Sequence, residues 1–454
     1  MGELDSNRAE LYSTRLKKCL GSAHSAIAAV LLVLAAAALS GVPADELKSA
    51  AAQQLKAMRD AIRAAHTGND AAAYVARSRE LREFLHSSPD SILQSMSAEA
   101  FAGDRDAALR SLTTFIAMGQ TNDAVFQGKQ FDELRKVEKF GVLQAEMHKN
   151  ETPVAGSTEV FRMPEAGLIP EDIDYDPATR QFYVTSVLKC EILAFDSTGH
   201  SKLFARAPHA WPMMALKIDS PRRVLWATEV ALHPFKSVPE KDWGTSTILI
   251  YDLDSGRLLH RVAGPPQTTL GDMALTKDGD AIVSDNDNGG LYRVNRKTQA
   301  IERLDLGDFV YPQTAVMSPD QRHIFVPDYS RGIGILDLAT KHVAWLTSQT
   351  PHALSGIDGL YLYGRTLIAT QNGTSPERVV RFELDKSLTQ VESESIVDRS
   401  TPTLGDPTHG VIVNGSFYYI GNSGWDMIED DGTPKAGAVQ PKAAVMKYEL
   451  GRRE

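Results

Sequence analysis

Two periodicities divide this chain. From Asp45 to about Lys149 apolar residues recur three and four apart, as in Leu55, Met58 and Ile62 and again in Leu109, Leu112, Phe115 and Met118. That spacing places them on one face of a helix. Past Thr152 the period falls to two, and Gly, Pro, Asp and Thr punctuate short runs rich in β-branched and aromatic residues, the pattern of strands joined by turns. Ahead of both stands an almost uncharged run, Ala26 to Leu39, preceded by Arg15, Lys17 and Lys18. The pattern predicts three regions: a signal or anchor segment over 1–44, a helical domain over 45–150 and a β domain over 155–454.

Within the β domain a single phrase recurs six times: a polar or small residue, a short alternating run, a turn, an apolar strand, a second turn and another strand. Glu171, Met213, Asp272, Gln313, Asp358 and His409 stand at equivalent places, at intervals of 42, 59, 41, 45 and 51 residues. Repeats of roughly 40–50 residues with several strands each predict a six-bladed β-propeller. The ring must close, because an open edge strand invites aggregation; the Thr158 to Met163 run is placed to supply the outermost strand of blade six. The fold class is therefore mainly β, a propeller preceded by a small α-helical domain. In that domain Gly68-Asn69-Asp70-Ala71-Ala72-Ala73 returns as Gly103-Asp104-Arg105-Asp106-Ala107-Ala108-Leu109, 35 positions on. The string is similar to the tetratricopeptide repeat, a helical hairpin of about 34 residues; an unrelated helical bundle is the other reading.

The first residue of each innermost strand of a propeller points into the mouth of the central channel. Glu171, Asp272, Gln313 and Asp358 are thus expected to converge from four blades. Carboxylates so gathered repel one another unless a cation compensates them, and an all-oxygen set suits Ca²⁺ best, with Mg²⁺ or Mn²⁺ as alternatives. His409 opens blade six and is a candidate catalytic residue at the same mouth, against a structural hydrogen-bonding role.

Four stretches, PEDIDYDPATRQFYVTS, GDMALTKDGDAIVSD, PQTAVMSPDQRHIFV and GIDGLYLYGRTLIA, resemble successive blades of the SMP-30/gluconolactonase and paraoxonase superfamily of six-bladed propellers. The likeness spans residues 160 to 450 in round numbers. It implies metal ligands at Glu171 and Asp358, with Asp358 also the general base of a lactonase, and it sets Gln313 where the family usually has Asn. Two positions depart from the family: Gly271 stands where a further metal-binding Asn is expected, with Asp272 one place later, and Met213 replaces the paraoxonase-type histidine. The activity implied is hydrolysis of a lactone or ester, a hub cation polarising the carbonyl while Asp358 takes a proton from water. The competing reading is a non-catalytic exported scaffold that binds a protein or ligand and holds a structural hub ion.

Composition narrows the partners. A net charge of −10 without a basic cluster argues against a nucleic-acid surface; the resemblance implies a small lactone, ester or sugar acid as ligand, and the helices are expected to offer a surface to a protein partner. The charge-then-apolar order of the N-terminus predicts export to the periplasm or beyond, with cleavage after Ala44 or Ser40, or retention as a membrane anchor. Cys19 falls in that segment, so Cys190 has no partner for an internal disulfide. The Asp285-Asn286-Asp287-Asn288-Gly289 run lacks the closing Glu of an EF-hand, having Arg296 at that place, and reads as a polar turn. The insertion between Glu229 and Ser246 is long enough to roof the channel.

Overall fold

The computed structural model describes residues 48–451, and the predicted export segment lies outside the described residues. Among those residues the strands form six sheets arranged as blades, antiparallel except where Thr347–Ser348 runs parallel to the Gln390–Arg399 strand of blade five. Their innermost strands are Pro170–Asp176, Met213–Asp219, Leu270–Leu275, Val316–Met317, Gly359–Tyr363 and Gly410–Val413. Apolar faces of adjacent blades interdigitate: Ile192 and Ala194 of blade one, for example, pack on Leu216, Ala227 and Leu249 of blade two. The innermost strand of blade four is shorter than the Gln313 to Met317 run expected, because Thr314 turns its N–H to the Asp358 carbonyl of the next blade.

Ring closure follows the sequence expectation. Thr158–Arg162 pairs antiparallel with Ala444–Glu449, Thr158 opposite Lys447 and Arg162 opposite Ala444, as the outer strand of blade six. From that strand Phe161 reaches into blade one, its ring 5.5 Å from Phe195 and 5.8 Å from Phe182.

Blade one grips blade two through alternate aspartates of its inner strand. Asp172 accepts the Leu216 N–H at 2.8 Å, Asp174 the Ile218 N–H at 2.7 Å, and Asp176 the Ser220 hydroxyl at 3.0 Å. Alternation on one face of a strand aims all three at the same neighbour. The D-I-D-Y-D spacing is thus a blade-to-blade clasp.

Helices α1 (Ala50–Thr67), α2 (Ala71–Phe84), α3 (Pro89–Phe101) and α4 (Arg105–Ala117) make two hairpins, followed by α5 (Asp132–Arg135) and α6 (Glu138–Lys149). Asp70 caps α2 by accepting the Ala73 N–H, and Asp104 caps α4 by accepting that of Ala107, both at 3.0 Å. Asn69 and Gly103 hold the left-handed turn position before each cap, at φ 55° and 78°. These equivalences set the repeat at 34 residues, one fewer than aligning Gly68 with Gly103 suggests, because Asn supplies in the first turn the positive φ that Gly supplies in the second.

The helices are seated on the propeller. Leu55, Ile62, Tyr74 and Leu81 pack against Val310 and Tyr311 of blade four, and Thr121 donates its N–H to the Ser375 carbonyl of blade five at 2.6 Å. Ser49 Oγ donates to the Phe309 carbonyl. At Gly289 (φ 75°) a Cβ would lie 2.2 Å from that carbonyl oxygen and 2.6 Å from Ser49 Oγ, so only glycine lets the two units meet there.

Closure through Phe161 has a measurable consequence. Phe161→Ala removes a buried ring from the seam between the first and last blades and is expected to lower unfolding free energy by about 3–5 kcal/mol, read as a shift in the denaturant midpoint.

Candidate functional site

The start of each inner strand, together with the loops that follow the second strands, builds the hub. In blades one, two and three the pairing register slips between Pro170 and Ile173, Met213 and Leu216, and Leu270 and Asp272. Such bulges let consecutive residues take different directions. Glu171 therefore faces a central cavity while Asp172 turns to blade two, and Met214 rather than Met213 reaches the cavity wall.

Glu171, Asp272, Gln313 and Asp358 all line this one cavity. Met214, Tyr311, Tyr329 and Trp425, with Leu232 and Phe235 from the blade-two insertion, give it apolar surface, and His233, Asp287 and Asp430 add further polar groups. Phe235 lies 6.3 Å from the Trp425 ring, and Lys236 pairs with Asp431 at 2.7 Å, so insertions of blades two and six close the roof together. The open space is about 120 Å³, several times the roughly 10–15 Å³ that a single water requires. The cavity has room for several waters.

Each acid is held differently. Glu171 accepts from Trp425 Nε1. Asp358 Oδ2 accepts from Asn372 Nδ2 at 2.8 Å, and the Tyr329 hydroxyl holds the Asn372 oxygen at 3.1 Å. Gln313 donates its Nε2 to the Tyr311 carbonyl at 3.3 Å, leaving its amide oxygen without a donor among the described residues. Asp272 accepts from the Thr314 hydroxyl and, at 2.6 Å, from Asn286 Nδ2. It also lies 2.7 Å from His409 Nε2, a close charge contact whose direction is off a linear hydrogen bond.

His409 sits behind Asp272 instead of on the cavity wall, 1% exposed. Its Nδ1 donates to the Glu171 carbonyl at 2.8 Å while Nε2 faces Asp272, so both nitrogens carry protons. Burial works against that charge, yet Asp272 foremost, then Asp172 and Asp358, raises the imidazolium to about 10. Burial likewise opposes the Asp272 charge, but His409, Thr314 and Asn286 outweigh it and hold the carboxyl below its ordinary range. Asp172 has its own counter-ion, Lys217 Nζ, at 2.6 and 2.7 Å. Two of the hub carboxylates are thus neutralised from within the protein.

Among the described residues no three Asp, Glu, His or Cys side chains gather closely enough to hold a metal by themselves. Glu171, Gln313 and Asp358 line the same cavity, and two carboxylates with a neutral amide oxygen are the donor types that a hard cation takes. Asp272, with its ion pair and two hydrogen bonds, is an anchor of the cavity floor.

Sequence reading overlooked Asn286 and Asn372. Each follows the second strand of its blade, stands 14 residues after a hub aspartate, and donates both to that aspartate and to a carbonyl of the next blade, Pro312 or Pro407. That repeated Asp-to-Asn interval is visible in the chain. Asn286 also accounts for Gly271: a Cβ there would lie 1.9 Å from the Asn286 amide oxygen, so the space of a side chain at 271 is taken by the amide from the turn after the second strand. The neighbouring Asp285 is a turn residue as expected, accepting the N–H groups of Thr269, Asp287 and Asn288.

No family model matches the chain, and no curated protein matches it in sequence. Solved structures similar in fold include a gluconolactonase from Xanthomonas campestris, 16% identical, TM-score 0.44, covering 64% of this chain and 88% of that one. The Malassezia sympodialis allergen Mala s 1 is 14% identical with TM-score 0.48, covering 66% and 96%. A luciferin-regenerating enzyme is 13% identical with TM-score 0.46, covering 66% and 96%. The likeness is one of fold.

Two outcomes follow from the geometry. Gly271→Ala should drive the Asn286 amide off Asp272 and Pro312, lowering unfolding free energy by about 1–3 kcal/mol; a chemical-denaturation curve with m unchanged checks it. The stability that His409 contributes is complete below its ordinary value near 6.5 and is lost as pH rises through about 10. In chelator, wild-type stability should therefore decline between those values, and His409→Gln should flatten the decline.

Proposed function

We propose that the hub cavity binds a divalent cation and hydrolyses a small lactone or ester. One observation carries the reading: oxygen side chains from blades one, three, four and five line a single cavity of about 120 Å³ beside the apolar side chains of Met214, Phe235 and Trp425. Glu171, Gln313 and Asp358 would hold the ion. Bound there, Ca²⁺, Mg²⁺ or Mn²⁺ supplies polarisation of an ester carbonyl.

The chain's own groups do the rest. Asp358 is the base that takes a proton from water, oriented by Asn372 on its Oδ2, while Tyr329 fixes the amide of Asn372. That chain of contacts matters because a base must hold its geometry to within hydrogen-bond reach of the proton it removes. Met214, Phe235 and Trp425 give an apolar seat to the ring or acyl chain of the substrate and strengthen electrostatic interactions by excluding water. The small volume selects a small substrate. The reading extends to an exported protein, on the charge-then-apolar order of residues 15 to 39.

The experiment is a panel of lactones and aryl esters assayed on chelator-stripped protein, with and without added Ca²⁺. Ca²⁺ should raise the melting temperature, as a ligand of the folded state does, and should restore turnover. Asp358→Asn should reduce kcat about 100-fold or more, and Tyr329→Phe should lower kcat with KM little changed. A melting shift without turnover on any substrate refutes the hydrolase and leaves an ion-binding scaffold.

A further inference from the structure

The helical domain has a second cavity of about 320 Å³, lined by Arg79 and Arg82 from α2, Glu99 from α3, and Arg110, Ser111 and Thr114 from α4. Its charge is unbalanced. Glu99 is buried and accepts the Ser111 hydroxyl at 2.8 Å, and the Thr114 hydroxyl turns back to the Arg110 carbonyl at 3.1 Å. The guanidinium groups are the donors left. Arg82 has one long contact to Ser87, at 3.5 Å, while Arg79 and Arg110 have no hydrogen bond or ion pair among the described residues. Arginines beside them on the same two helices are satisfied: Arg77 pairs with Glu80 at 2.8 Å and Arg105 with Glu133 at 2.9 Å.

We infer that this cavity is a binding site for a ligand bearing two carboxylates, either a small free dicarboxylate or two adjacent acidic side chains of a peptide. Three guanidiniums against one carboxylate leave a formal excess of two positive charges on the wall, which two carboxylates neutralise. Guanidinium forks match carboxylates by paired hydrogen bonds. The volume stands at the low end of the roughly 300–1,000 Å³ common for small-molecule sites, enough for a short dicarboxylate or a pair of side chains. The site shares no residue with the hub and is independent of the hydrolase reading.

The test is isothermal titration of the full chain at low salt with succinate and, separately, with the blocked dipeptide N-acetyl-Glu-Glu-amide. Saturable one-to-one binding is expected, weakening as salt is added and falling about tenfold or more in Arg79→Gln/Arg110→Gln, since each arginine makes charge-assisted bonds. The tighter probe identifies the source of the carboxylates. Arg79 and Arg110 are exposed, so the double variant should melt as wild type does, and a melting curve verifies that its loss is local. Failure of both probes to saturate at millimolar concentration, or equal binding by a folded double variant, overturns the inference.

Discussion

Charge pairing at the hub is the constraint on which the rest depends. A propeller brings the ends of its inner strands together, and here they carry acids with almost no exposure: Asp172 at 0%, Asp358 at 2%, Asp272 at 3% and Glu171 at 5%. Burial of unpaired carboxylates costs far more than the marginal stability of a fold permits. The chain answers with Lys217 on Asp172 and an imidazolium, His409, on Asp272. Each cation comes from a different blade from the acid it meets, so the pairs also fix the order of blades around the axis. Breaking such a pair leaves a buried charge without its partner, which is why these contacts specify geometry more than they add net stability.

That pairing divides the hub into a floor and a mouth. Asp172 and Asp272 are in contact with cations of the protein, whereas Glu171 and Asp358 accept from the neutral donors Trp425 and Asn372. The helical domain bears on the mouth directly. Tyr311 and Tyr329 line the cavity, and the same loops pack under α1 to α3, so the walls of the site are held from outside the propeller. Tyr329 goes further, for its hydroxyl fixes Asn372 and through it Asp358. A helical domain docked in this way supports the site as well as presenting a surface of its own.

Much of this was legible in the chain because it follows from local period. Alternation gave six blades and the closing strand at Thr158, the three-and-four spacing gave the hairpins, and the repeat interval put Glu171, Asp272, Gln313 and Asp358 around one axis. What period cannot show is the partner of each acid. His409 and Asp272 belong to blades six and three, and nothing near either residue signals the other. Lys217 reads as an ordinary polar residue of a strand until blade one is placed beside it. The repeat in the helices misled by one position, since a glycine is conspicuous in sequence whereas the positive φ that makes it useful was supplied in the first hairpin by Asn69.

Gly271 and Asn286 carry the same lesson into the site. A glycine at the head of an inner strand looks like the loss of a functional side chain, and along the chain alone it is one. In three dimensions the missing Cβ is the space that the Asn286 amide fills, while its nitrogen binds Asp272 and the Pro312 carbonyl. Blade five shows the parallel solution without the approach from behind: Asn372 meets Asp358 and the Pro407 carbonyl. Two blades thus build one unit, an aspartate on the inner strand clasped by an asparagine 14 residues later that also reaches the next blade. In blade three a histidine cation commits that aspartate to the floor; in blade five the aspartate stays at the cavity wall. The two acids differ in the direct contact that His409 of blade six makes with Asp272, although the charge of Asp358 acts on the same imidazolium.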